Sequence, residues 1–133
     1  MAYERMSRAR WHEDDGFLTA QFVAAVGLSL LILVLVANVI MVQYARGVVR
    51  AAAEEGAQAG SRLTATEGEC VARAAEVLDG LLGGTMGDGV SIGCAVGATE
   101  VAATVRYTFT PWLPLIPSWT GSQTSFAVKE SLP

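Results

Sequence analysis

Residues 17–44 read FLTAQFVAAVGLSLLILVLVANVIMVQY and contain no charged side chain. The hydrocarbon core of a bilayer is about 30 Å thick, and an α-helix crosses it with about 20 apolar residues. The run exceeds this length, and it is also longer than the apolar part of a cleaved secretory signal, which has about 7–15 residues. The chain that follows is too short to surround a helix that is apolar on all sides. The run therefore predicts a transmembrane helix that is retained as an anchor.

The composition indicates one small domain in addition to this helix, because the chain has only 133 residues. Hydrophobic residues make up 52% of the chain and charged residues 17%, which is typical of neither a disordered nor a nucleic-acid-binding protein. The formal net charge is −4, and the nine basic residues are scattered rather than gathered in a run that could follow a phosphate backbone. We therefore expect membrane lipid as a partner and no nucleic acid.

The segment 1–16 is polar and charged, so we expect it to form a leader or a short cytoplasmic tail. Arginines flank the apolar run on both sides at similar density, and the positive-inside rule therefore barely discriminates between the two orientations. The only histidine, His12, has no second His or Cys at ligand spacing. Because no histidine follows it, His-based triads are excluded in the C-terminal part. We predict a protein that is not an enzyme and that holds no metal or cofactor.

A polar stripe indicates that the helix continues beyond the apolar run, because charged or amide side chains recur every four residues. These residues are Arg46, Arg50, Glu54, Gln58 and Arg62. The opposite side is made of small and apolar residues, and Gly56 and Gly60 form a small-xxx-small pattern that permits close helix approach. This side packs against a helix of another subunit or against the protein's own C-terminal domain, and the two contacts need not exclude each other.

Two amide side chains interrupt the central part of the apolar run, Gln21 near its start and Asn38 near its end. An amide in hydrocarbon usually contacts a partner or other protein groups. Gln21 and Asn38 are therefore candidates for helix-to-helix contacts, although Asn38 would also be tolerated at the level of the headgroups.

The C-terminal half predicts a small α+β domain. Thr66 and Glu69 have the spacing of a capping box that opens a second, amphipathic helix, and Gly83-Gly84 close it. Alternating apolar residues then predict two strands joined at residues 97–100, and a third strand at about 123–130 with Phe126 and Val128 on its apolar side. The expected product is a three-stranded antiparallel sheet packed on the second helix.

Two cysteines fall on the two faces that must pack together, Cys70 on the apolar face of the second helix and Cys94 on that of the first strand. A disulfide between them is geometrically reasonable, and it would stabilise the domain by about 3 kcal/mol. The alternative is two free buried thiols. A disulfide would indicate that the domain lies outside the cytoplasm.

The segment 111–119, PWLPLIPSW, is a proline-rich loop between the second and third strands. Its three prolines preclude regular strand pairing. Its apolar side chains are Trp112, Leu113, Leu115, Ile116 and Trp119. These side chains are covered by the domain's own core, by a partner subunit, or by the outer membrane leaflet, where tryptophan is favoured.

The junction GFLTAQF at residues 16–22 resembles the processing site of type IV pilin-like precursors. In that family a prepilin peptidase cuts after a glycine and before an aromatic or apolar residue, which here implies cleavage between Gly16 and Phe17. The stretch NVIMVQYARGVVRAAAEEGAQAGSR, residues 38–62, resembles more narrowly the TadE-like pseudopilins of tight-adherence (Tad or Flp) pilus systems. One position departs from the family: the fifth residue after the cut is Gln21, where such pilins usually have Glu.

The resemblance, which covers about residues 14–62, implies a minor pilin or pseudopilin with a pilin-like fold. Its segments would be a leader at 1–16, a long transmembrane and assembly helix at 17–63, and an exported α+β domain at 64–133. The implied partners are prepilin peptidase and pilin or pseudopilin subunits, with oligomerisation through the N-terminal helix. The implied location is the inner or cytoplasmic membrane, crossed once, or a pilus, with the C-terminal domain outside the cytoplasm. The alternative is a signal-anchored envelope domain that binds a partner through its Pro/Trp loop without polymerising.

Overall fold

The computed structural model describes the backbone of residues 2–83, 88–111 and 115–132, and the side chains from Gly16 onward within those ranges. Its elements are α1 (Ala2–Gly60), α2 (Glu67–Leu82), β1 (Val90–Val96), β2 (Glu100–Phe109) and β3 (Trp119–Val128). The fold class is α+β, as predicted: a long N-terminal helix, a second helix and a three-stranded antiparallel sheet. The chain forms two compact units, residues 1–40 and residues 41–133.

Helix α1 extends through both the apolar run and the predicted polar stripe. It begins at Ala2, so it includes the segment predicted as a leader, and it ends at Gly60, three residues before the predicted boundary. The hydroxyl of Ser61 donates a hydrogen bond to the carbonyl oxygen of Gln58 at 2.7 Å. This bond occupies one of the carbonyls that a helix leaves without an intrahelical partner at its C-terminus.

Helix α2 confirms the predicted capping box and the first of the two predicted closing glycines, whereas Gly84 lies outside the described residues. The backbone N–H of Thr66 donates to the Glu69 carboxylate at 2.9 Å, and Gly83 follows the last helical residue. The buried side of α2 consists of Cys70, Ala74, Leu78 and Leu82. Their spacing of four residues places them along one side of the helix.

The sheet has the order β1-β2-β3, with both neighbouring pairs antiparallel. Val90 lies opposite Tyr107, and Val96 lies opposite Val101 at the other end of the same pair. The inward side of β2 carries the buried residues Val101, Ala103 and Val105. The two strands that were predicted from apolar alternation are therefore confirmed.

The third strand differs from its prediction in both its start and the side that faces the core. It begins at Trp119, four residues before the predicted start at Gln123. Phe126 and Val128, which we expected on the apolar side, are 65% and 82% exposed. The register explains the error, because Ala127 lies opposite the buried Val101 and therefore takes the inward position.

The core of residues 41–133 is made largely of small side chains from the last part of α1. The buried hydrophobic residues in the described part of α1 are Ala45, Val48, Val49, Ala52, Ala53 and Ala57. They pack with the buried side of α2 and with β2 in two adjoining clusters. Small side chains allow backbones to come close, so a compact core forms here with few large residues.

Gly56 and Gly60 belong to this core, which corrects their prediction as contacts to another subunit's helix. A Cβ atom at Gly56 would lie 3.1 Å from the Cβ of Ala74, and one at Gly60 would lie 2.9 Å from a methyl of Val101 and 3.2 Å from the Cβ of Cys70. The protein's own α2 and β2 therefore occupy the space beside both glycines. Of the two alternatives that the sequence left open, the structure favours packing against the protein's own domain.

Substituting Gly60 by alanine is expected to lower the free energy of unfolding by about 1–3 kcal/mol, the usual cost of overpacking a core. Val101 is fully buried and its branched side chain is stiff, so it yields little to an added methyl group. The matched control is Gly80→Ala, because Gly80 lies inside α2 with open space at its Cβ position. That substitution is expected to raise stability by about 0.5–1 kcal/mol. Urea unfolding of both variants in detergent measures the difference, and equal midpoints would contradict the packing described here.

Candidate functional site

From Phe17 to Ile40, helix α1 presents an apolar surface around its whole circumference. Every described side chain from Gly16 to Ile40 is exposed except the half-buried Asn38. The exposed aliphatic and aromatic residues include Phe17, Phe22, Leu28, Leu31, Leu33, Leu35 and Val39. The helix is long and apolar enough to span a membrane. A soluble monomer rarely exposes a continuous apolar patch larger than a few hundred Å².

The predicted processing junction lies within α1. Gly16 and Phe17 are both exposed, and a Cβ atom at Gly16 would meet no other atom within 4 Å. Gln21 lies one helical turn after Phe17 and is also exposed. Cleavage between Gly16 and Phe17 stays a prediction.

The polar groups of the apolar run differ in how they are satisfied. The hydroxyl of Ser29 donates to the carbonyl oxygen of Ala25 at 2.8 Å, one turn earlier in the same helix. This bond satisfies the hydroxyl group within the helix, so Ser29 needs no hydrogen-bond partner in lipid. Gln21 is exposed and Asn38 is half-buried. Their amide groups are therefore polar features of the run that a neighbouring helix would be able to contact.

Cys70 and Cys94 form the predicted disulfide, which links α2 to β1. Their Cα atoms are 6.3 Å apart, and the two residues are separated by 24 positions in the chain. Cys70 is completely buried beside Gly60 and Val101. The disulfide therefore lies at the junction of α1, α2 and the sheet, where it fixes the small domain from within.

An ion-pair network connects the outer surfaces of the two helices. Arg73 on α2 contacts Glu76 at 2.9 Å and Glu55 of α1 at 3.2 Å. The hydrogen bonds to Glu76 and Glu55 raise the pKa of Arg73 above its ordinary value. Arginine is charged at every physiological pH even without these hydrogen bonds. Exposed ion pairs of this kind contribute little to stability.

Two side-chain contacts involve residues at the C-terminal end of the apolar run. The hydroxyl of Tyr44 donates to the carbonyl oxygen of Leu81 at 3.2 Å. The guanidinium carbon of Arg46 lies 5.6 Å from the ring centre of Trp119, which is the geometry of a cation–π contact. The sequence analysis missed both contacts. The signal in the sequence was the position of Tyr44 as the last residue of the uncharged run and of Arg46 as the first charged residue after it.

The Pro/Trp loop is described only in part. Trp112 and Leu113 lie outside the described residues. Leu115 is 95% exposed, Ile116 is half-buried, and Trp119 is 46% exposed. Trp119 belongs to β3, opposite Phe109, so it is the first residue of a strand rather than part of the loop.

An open groove of about 710 Å³ lies between α1, α2 and the C-terminal tail. Its charged residues are Glu55, Arg62, Glu69, Arg73, Glu76 and Glu130. Within residues 16–83, 88–111 and 115–132, no three His, Cys, Asp or Glu side chains are arranged to hold a metal ion.

These features define an α+β protein that combines an exposed apolar helix with a small domain that contains a disulfide. Comparison of the chain with protein-family models, with curated proteins and with solved structures finds no match.

Proposed function

We propose that this protein is a minor pilin or pseudopilin of a Tad/Flp-type pilus or secretion system. In this role, residues 17–44 cross the cytoplasmic membrane once, the disulfide-closed domain lies outside the cytoplasm, and α1 joins a filament or primes its assembly. The observation that carries the proposal is the exposed apolar surface of α1, which continues around the helix from Phe17 to Ile40. The role requires no catalytic group and no cofactor.

The exposed run suits both environments that such a subunit would occupy. Before assembly, lipid would cover the side chains, because a helix that is apolar all round is stable in hydrocarbon. After assembly, helices of other subunits would replace the lipid. The amides of Gln21 and Asn38 then supply hydrogen bonds between helices, which lipid tails are unable to make. Gln21 would offer its hydrogen bond at the position where a Glu would offer a charge.

Two further observations support the proposal. The junction GFLTAQF at residues 16–22 resembles the cleavage site of pilin-like precursors. The disulfide between Cys70 and Cys94 is of the kind that persists in oxidising compartments and is rare in the cytosol. Together they favour an exported domain that is attached to a processed helix.

Site-specific photo-crosslinking in cells tests the contacts of the helix. A photoreactive residue in place of Leu33 or Asn38 is expected to capture pilin or pseudopilin subunits when the pilus system is active. The matched control is the same residue in place of Gln58, which is exposed on α1 in the second unit. Failure of Leu33 and Asn38 to capture any pilin subunit in piliated cells would contradict the proposal.

The mass of the membrane-extracted protein tests processing separately. In cells with an active prepilin peptidase, the chain is expected to begin at Phe17, and in cells without the peptidase it is expected to retain the preceding residues. A chain that still begins at Met1 in the presence of the active peptidase would exclude processing at this junction.

The second candidate function is a signal-anchored envelope domain that binds a partner and never polymerises. It is favoured by the exposure of Leu115 in the Pro/Trp loop. A photoreactive residue at Leu115 discriminates between the two functions. Capture of a partner from Leu115, together with no pilin capture from Leu33, would favour the envelope domain.

A further inference from the structure

One end of the second unit collects exposed aromatic and aliphatic side chains around a single arginine. We call it the Arg46 end and define it by Tyr44, Arg46, Leu81 and Trp119. Tyr44 is hydrogen-bonded to Leu81, and Arg46 lies under the ring of Trp119. Tyr44, Leu81 and Trp119 are each about half exposed.

Two of these residues, Tyr44 and Arg46, lie at the C-terminal end of the apolar run. Tyr44 lies two residues before Arg46, the first charged residue after the apolar run, so only about 3 Å of helical rise separates their backbones. If residues 17–44 lie in lipid, as the proposed function requires, the Arg46 end lies at the level of the headgroups. Trp and Tyr are enriched at that level, and arginine reaches from it to polar groups while its stem stays in apolar surroundings.

We propose that the Arg46 end is a docking surface for the outer headgroup layer of the membrane. Trp119 enters the interface, and the guanidinium of Arg46 binds lipid phosphate. The domain therefore rests on the bilayer before assembly instead of moving freely on its helix. This inference rests on the proposed function, because it needs the apolar run in the membrane.

Arg46 and the carboxylates Glu69 and Glu130 lie at different ends of the second unit. The acidic groove residues Glu69 and Glu130 lie near the turn that joins α1 to α2, because Glu130 N–H donates to the carbonyl of Ser61 at 2.8 Å. That turn is at the far end of α2 from Leu81. An anionic membrane surface repels carboxylates and attracts arginine. Such a surface would therefore attract Arg46 and repel Glu69 and Glu130.

Fluorescence of single-tryptophan variants in vesicles tests the proposal with the full chain. The variant Trp11→Phe with Trp112→Phe keeps Trp119 alone. Two reporter variants carry Trp119→Phe in addition, one with Leu33→Trp and the other with Phe126→Trp. Phe126 is exposed near the end of β3 opposite to Trp119, so it is the matched control for an aromatic residue away from the membrane. All three are reconstituted in vesicles of phosphatidylethanolamine and phosphatidylglycerol.

Quenching by lipids brominated at known depths and by aqueous iodide locates each tryptophan. We expect Trp119 to be quenched by lipids brominated close to the headgroup and to be shielded from iodide, and the Phe126→Trp reporter to show the opposite. The Leu33→Trp reporter is expected to respond to bromine deep in the chain region. If the Leu33→Trp reporter is quenched at depth while Trp119 responds only to iodide, the docking proposal is wrong and the membrane anchor stands. If the Leu33→Trp reporter is not quenched by lipid, the proposed function itself fails.

The role of Arg46 is tested by its dependence on anionic lipid. In the single-Trp119 variant, phosphatidylglycerol is expected to raise the ratio of docked to undocked domain about fivefold over phosphatidylcholine alone, the effect of one arginine near an anionic surface. Arg46→Gln is expected to abolish this difference, whereas Arg62→Gln, an exposed arginine in the turn beyond α1, is expected to keep it. A merely structural role of Arg46 would lower the quenching equally in both lipids, and that result would overturn the assignment of phosphate binding.

Discussion

Replacing Leu31 and Leu35 together by arginine is expected to expel helix α1 from the membrane. Both residues lie near the middle of the uncharged run, and both are exposed on the first unit. Each arginine at the centre of a transmembrane helix costs about 3 kcal/mol on insertion scales. The pair therefore costs roughly 6 kcal/mol, which corresponds to a factor of about 10⁴ in the insertion equilibrium.

Extraction of membranes with alkaline carbonate measures this effect. The unsubstituted protein is expected to stay in the pellet and the double-arginine variant to appear in the supernatant. The control replaces the same two leucines by phenylalanine, which remains apolar and should stay in the pellet. If the double-arginine variant is retained like the control, the run is held by something other than lipid.

Loss of the disulfide is expected to lower the free energy of unfolding of the domain by about 3 kcal/mol. The bond joins α2 to β1 and closes a loop across 24 positions, so its removal frees the unfolded chain more than the folded one. Small domains have only about 5–15 kcal/mol of stability in total. The double variant Cys70→Ala with Cys94→Ala should therefore unfold at a clearly lower urea concentration.

The measurement includes its own control, because a reducing agent acts only on the protein that has the disulfide. Dithiothreitol is expected to shift the unfolding midpoint of the unsubstituted protein towards that of the double variant and to leave the variant unchanged. Identical midpoints for the oxidised protein and the variant would show that the bond contributes nothing to stability.

The sequence predicted α2 and β1 best, because apolar residues recur in them at regular spacing. Cys70 and Cys94 were placed on the facing sides of α2 and β1 by two separate periodicities, and the structure joins them. Thr66 and Glu69 marked the start of α2 through a local interaction that depends on nothing else in the fold. Such features are predictable because their causes lie within a few residues of one another.

The third strand was predicted less well because its composition does not distinguish its two sides. Between Trp119 and Val128 most residues are small or hydroxylated, and Phe126 and Val128 dominate any apolar pattern. The side that faces inward is decided by pairing with β2, where Ala127 lies opposite Val101. This register depends on a partner strand, so the composition of β3 alone pointed to the wrong side.

The glycines of α1 illustrate a similar limit. A small-xxx-small pattern indicates that something packs closely, but it does not say which chain supplies the partner. The structure shows Cys70, Ala74 and Val101 of the same chain beside Gly56 and Gly60. The contact between Arg46 and Trp119 was also beyond prediction, because it joins residues far apart in the sequence and depends on where β3 begins.

Protease accessibility of a C-terminal epitope in spheroplasts tests the central claim most directly. The claim is that residues 17–44 cross the cytoplasmic membrane and that the disulfide-closed domain lies beyond its outer surface. Protease added to intact spheroplasts is therefore expected to remove the epitope while a cytoplasmic marker protein stays whole. An epitope that survives until the membrane is permeabilised, and is then lost together with the marker, would contradict the account.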